Sequence, residues 1–173
     1  MKTYLSILAY FLILTYTVAQ ETPAQESEID KRNGFKDIKM ASSIDSVKGA
    51  IFKKDFKVKG HPAKLYFIEH PDYKTIGEVS IERIEVKTYK SLIFEILVIT
   101  AKDERLMKGL ERALGKPVYN VRDESYNWGG KKVSLRFKSH SKNQLEMIYT
   151  SPIVHKMMAE DKSKKIDDIS EDF

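Results

Sequence analysis

Between Phe35 and His155 the apolar positions change period several times, and each change marks the edge of an element. Ile38 and Met40 read as a short strand. Ser42 and Asp45 form an S-x-x-D capping box that opens a short helix carrying Ile44, Val47 and Ile51, kept brief by Gly49. Phe52, Lys54, Phe56 and Val58 then alternate with Lys53, Asp55, Lys57 and Lys59, a strand with one mostly apolar and one basic face. Gly60-His61-Pro62 turns the chain into a strand over Leu65 to Glu69, which His70-Pro71-Asp72 stops. Val79 and Ile81 alternate, yet the next apolar residues are Ile84 and Val86. That slip places a bulge near Glu82-Arg83. Leu92 to Thr100 is almost continuously apolar and rich in β-formers, the pattern of a central strand covered on both faces.

Asp103 to Leu114 has helical spacing, with Leu106, Leu110, Leu114 and Met107 on one face, and Gly115 and Pro117 end it. Tyr126 to Trp128 and Lys131 to Phe137 flank Gly129-Gly130 and read as a hairpin whose glycines supply the positive φ of a tight turn. Ser139 to Asn143 turns again into Gln144 to Ser151, and a last amphipathic helix starts after Pro152 and frays into the tail. The fold class is α+β: an antiparallel sheet of about five to six strands packed against two to three helices. Parallel pairing needs long crossovers, and only Lys102 to Lys116 supplies one.

The ends are read from composition. Met1 to Gln20 holds one charge, Lys2, and an apolar run from Tyr4 to Val18 followed by Thr17-Val18-Ala19, the small-residue pattern of a signal-peptidase site. The organisation expected is a signal peptide over 1–19 cleaved after Ala19, a flexible leader over 20–34, one α+β domain over 35–158 and a charged C-terminal tail over 159–173. The mature chain is expected outside the cytoplasm, periplasmic or secreted. A retained anchor is the weaker alternative, because a span takes roughly 18–20 apolar residues.

The chain has no cysteine, which excludes thiol catalysis, disulfides and thiolate metal sites. Its four histidines, His61, His70, His140 and His155, fall into no metal-ligand spacing and read as surface or turn residues. No nucleophile elbow or phosphate-binding loop occurs, and the carboxylates Glu82, Glu85, Asp123 and Glu124 share no recognisable arrangement. No catalytic residue, metal ligand or cofactor is therefore assigned, and the reading leans away from an enzyme.

Two candidate binding surfaces remain. Tyr119, Tyr126 and Trp128 precede the Gly-Gly turn beside Arg122 and Lys131, a group suited to a protein, peptide or glycan. The alternative for Trp128 is that it closes one end of the core. The second surface is the Lys53, Lys57 and Lys59 face, within a stretch from Lys31 to Lys64 that holds ten Lys or Arg against three acids. Such a stretch attracts anionic lipid or glycan. Export makes nucleic acid an unlikely partner.

Ile38-Lys39-Met40-Ala41-Ser42-Ser43-Ile44-Asp45-Ser46-Val47-Lys48, with Ala113 to Pro117 and Tyr126 to Val133, resembles a pattern of small exported bacterial domains. These are the SmpA/OmlA-like outer-membrane assembly lipoproteins and domains of the β-lactamase-inhibitor-like fold. Ala41 stands where that pattern has glycine, and the lipobox cysteine is missing. The resemblance implies an assembly-factor or inhibitor role and assigns no residue. Three functions follow in order: an exported non-catalytic domain binding a protein or cell-envelope component, a surface module for anionic lipid or glycan, and a carboxylate-based hydrolase.

Overall fold

A computed structural model describes residues 26–170, the side chains of 168 and 169 apart. The signal peptide expected over 1–19 lies outside the described residues. Helix α1 (Glu28–Arg32) leads into a two-stranded ribbon, β1 (Gly34–Phe35) and β2 (Ile38–Lys39). After a single 3-10 turn at Ile44–Ser46 come β3 (Ala50–Val58) and β4 (His61–Ile68). A second such turn at Pro71–Tyr73 precedes β5 (Thr75–Ile76), β6 (Val79–Tyr89) and β7 (Leu92–Ala101). Helix α2 (Glu104–Leu114) crosses to β8 (Val118–Asn120), β9 (Ser125–Gly129), β10 (Ser134–Ser141) and β11 (Gln144–Thr150), and α3 (Pro152–Ser170) follows.

The main sheet is antiparallel and nine-stranded, in the order β3-β4-β6-β7-β11-β10-β9-β8, with β5 paired to β6. That exceeds the five to six strands expected; two of the additional strands, β5 and β8, are only two and three residues long, too short to show an alternation. The α+β class and the antiparallel pairing stand. The chain builds one meander up to β7, crosses on α2 to the far edge, and builds a second meander back until β11 pairs with β7. The best-buried strand thus lies in the middle, flanked by β6 and β11.

One face of the sheet carries the main core. Ile84, Val86, Ile96, Val98, Leu135 and Met147 pack there under α1, the β1–β2 ribbon and Leu106 of α2. On the opposite face α3 lays Val154 and Met158 on Ala63, Tyr89 and Phe94 at one end. The rest of that face mixes Leu97, Ile99 and Ile148 with charged pairs, Lys87–Glu95 at 2.6 Å and Lys138–Glu146 at 3.6 Å, and a His140–Glu146 hydrogen bond at 2.7 Å. Antiparallel sheets tolerate one wetted face when cross-strand pairs of opposite sign cover it.

Several local expectations change. The bulge in β6 falls where the slip placed it, between Ile81 and Arg83. The first cap sits one residue later, at Ser43, and opens one 3-10 turn that ends at Val47, leaving Ile51 to β3. A second bulge, between Phe52 and Lys54, reverses the faces of β3. Phe52 meets Tyr66 edge to face while Phe56 joins the α3 cluster, so the strand has no single apolar face. His61 is no turn residue: the turn is Lys59-Gly60, both at positive φ, and His61 is buried against Tyr89. Within the stretch 20–34 expected as a leader, α1 is an ordered helix with Ile29 and Asp30 buried. Within the tail expected over 159–173, α3 continues to Ser170.

Candidate functional site

Trp128 is not on a surface. It is 5% exposed, pairs with Leu135 across β9–β10, and its Nε1 donates to the Gly115 carbonyl at 2.8 Å. The C-terminus of α2 therefore seals it into the core. Tyr126 lies two residues nearer the β8–β9 turn, beyond that seal. It is exposed and packs on Tyr119 of β8, with ring centroids 4.9 Å apart. Arg122 stands in the same turn, exposed, its backbone amide bonded to Asn120 Oδ1. Lys131 lies past the other end of β9, in the loop that leads to β10. Of the five hairpin candidates the structure brings together Tyr119, Tyr126 and Arg122, withdraws Trp128 and separates Lys131.

What the structure adds there is apolar. Val118 is 74% exposed and Val121 is 78% exposed, so the hairpin presents both with Tyr119 and Tyr126. β8 is an edge strand, paired only to β9, and its outer backbone groups have no strand partner among the described residues.

The three lysines of β3 do not form one face. The bulge sets Lys53 on the wetted side, where its Nζ lies 4.8 Å from the Phe67 ring centroid and 4.0 Å from Glu69. Lys57 points from the other side, and Lys59 sits in the turn. A more basic recess lies where α3 meets β3 and β4, a cavity of about 590 Å³ lined by Lys64, Lys90, Lys164 and Lys165. Asp161 crosses its wall, accepting from the Tyr89 hydroxyl at 2.7 Å and Lys90 Nζ at 2.6 Å. Those two donors hold the Asp161 carboxyl below the ordinary range.

Asp30 is a buried carboxylate that accepts from three backbone amides of one loop. At 4% exposure it accepts from the amides of Lys131 (2.7 Å), Lys132 (2.7 Å) and Val133 (3.1 Å). Burial pushes its pKa up, and these amides with Ser27 outweigh that, so it stays below the ordinary value. Gly130 exists for this contact. Neither glycine of the pair has positive φ, and a Cβ on Gly130 would lie 2.6 Å from Asp30 Cγ. The expected left-handed turn is replaced by a four-residue loop wrapped around a carboxylate from a distant helix.

A second cavity of about 590 Å³ opens between α2 and the β5–β6 hairpin, with a mostly apolar lining. Among the described residues no group of three His, Asp or Glu is placed to hold a metal, and no helix is long and apolar enough to cross a membrane. No family model matches the chain, and neither a curated protein nor a solved structure matches it.

Proposed function

We propose that this chain is a non-catalytic binding domain that takes hold of a protein or cell-envelope component along the β8–β9 edge. One observation carries the reading: among the described residues, Val118, Tyr119, Val121 and Tyr126 account for four of the eight large hydrophobic side chains exposed, and all belong to one hairpin. A free edge offers backbone donors and acceptors to an added strand, while neighbouring side chains supply specificity. Arg122 adds a cation at the tip. Export rests on residues 1–19 alone, and the resemblance to exported assembly and inhibitor domains, which act by binding, points the same way.

The test is a tagged chain expressed in its native host beside a Val118→Lys, Val121→Lys variant. Both positions are solvated, so the expected change in stability is within about 0.5 kcal/mol. A stoichiometric protein that survives a high-salt wash on the parent and is lost from the variant supports the proposal. Equal retention by both chains refutes it.

A second reading, adhesion to anionic lipid or glycan, is favoured by the lysines around the α3 recess. It requires binding that weakens steeply as salt shortens the screening length to about 3 Å at 1 M. For a carboxylate hydrolase the same recess offers two acids, Asp55 and Asp161, and the second of these is tied to Tyr89 and Lys90.

A further inference from the structure

The cleft under α2 has a built polarity. Its floor is Val79, Met147 and Tyr149, and its wall is the helix face bearing Leu106, Gly109 and Leu110. The volume, about 590 Å³, is within the roughly 300–1,000 Å³ typical of small-molecule sites. The wall recedes at Gly109. A Cβ there would meet nothing within 4 Å, although glycine inside a helix costs about 1 kcal/mol relative to alanine. Glycine here leaves room where an ordinary residue would fill it.

The two ends of the cleft differ in charge. At one end Arg105 is neutralised, with Glu78 at 2.9 Å and Asp103 at 2.8 Å. Past Tyr149, Leu110 and Ala113 the cleft adjoins a smaller cavity of about 260 Å³, whose charged lining residues are Arg32, Lys36 and Lys39. No carboxylate lines that cavity, and none of the three cations is in an ion pair among the described residues. Lys36 Nζ donates to the carbonyls of Asp72 (2.6 Å) and Thr75 (2.8 Å), and Lys39 Nζ to those of Arg32 (2.8 Å) and Lys36 (2.9 Å). Carbonyls fix the ammonium groups in place without pairing them to a carboxylate. The Asp37 carboxylate accepts from the Tyr73 hydroxyl at 2.8 Å and attracts Lys39 only through space.

We propose that this cleft binds a single-chain amphipathic anion, a fatty carboxylate, with its hydrocarbon between α2 and the sheet and its head at Arg32, Lys36 and Lys39. The apolar section sets the tail, and two lysines held by carbonyls, with Arg32 beside them and none of the three in an ion pair among the described residues, set the sign of the head. Both stand independently of the β8–β9 edge.

The experiment is calorimetric titration of the full chain with dodecanoate below its micellar concentration, with dodecanol as the uncharged control. Saturable binding of one dodecanoate per chain is expected. Gly109→Leu should abolish it without lowering the melting temperature, since the position is exposed and leucine is the better helix former. Arg32→Gln should weaken dodecanoate about tenfold, the scale of one charge-assisted contact, and leave dodecanol unchanged. The Val118→Lys, Val121→Lys variant should bind as the parent does. Absent or unsaturable binding overturns the proposal, as does undiminished binding by Gly109→Leu or equal affinity for dodecanol. Sedimentation with phosphatidylglycerol vesicles, when free dodecanoate does not bind, overturns it in favour of a membrane surface.

Discussion

Gly130→Ala tests the contact between Asp30 and the β9–β10 loop. A Cβ at position 130 drives the Asp30 carboxylate off its amides, while the backbone there is one that alanine adopts freely. Hydrogen bonds to a charged group contribute about 1.5–3 kcal/mol each. Two of the three amides, those of the exposed Lys131 and Lys132, regain water when the carboxylate leaves, whereas Val133 is fully buried. The expected loss is therefore about 2–4 kcal/mol rather than the full sum. Urea unfolding followed by the fluorescence of Trp128, the single tryptophan and a near neighbour in sequence, reads it directly. Asp30→Ala should lose a similar amount for the same reason. The double variant should cost little more than either single change, so the coupling should be nearly as large as the single loss, about 2–4 kcal/mol. Additive losses would refute the contact as the reason for glycine at 130. The pH dependence has a fixed sign. A carboxyl whose folded pKa is depressed stabilises above its unfolded value of about 3.9 and loses that contribution as pH falls through the folded value. The gap between parent and Asp30→Ala should thus close in acid and stay open at neutral pH.

Two further outcomes follow from the packing. Trp128→Ala should lower stability by about 3–5 kcal/mol, the range for truncating a buried aromatic, seen as a large drop in melting temperature; an unchanged melting temperature would return Trp128 to the surface. Asp161→Asn should loosen α3 beyond its anchor on Tyr89 and Lys90, read as faster amide exchange in residues 162–167 with Val154 to Met158 still protected; unaltered exchange would show that the anchor is dispensable.

Features set by neighbours in sequence were legible before the structure. The β6 slip between Ile81 and Ile84 is visible because alternation is a local property, and α2 is bracketed by Asp103 and Gly115, which do cap it. The β3 bulge was not, since Phe52 and Phe56 are both apolar and only their partners on β4 show that they face opposite ways. Gly129-Gly130 was located correctly and explained wrongly: the turn logic asks about φ, whereas the constraint arrives from Asp30. That residue carries no local signal, being one acid among four in a polar stretch. Of the candidate surface, Tyr119, Tyr126 and Arg122 come together because β8 and β9 pair, and Trp128 leaves it because α2 ends above it.

The Asp30 contact joins residues 101 to 103 positions apart. The loop whose amides donate to Asp30 is set by the pairing of β9 with β10, and β10 is held in the sheet by β11. Closing so long a loop adds little more cost than closing a short one, because the penalty grows with the logarithm of length. The long separation therefore bears on order rather than on strength: the amides that hold Asp30 of α1 are brought together only by the pairing of the second meander.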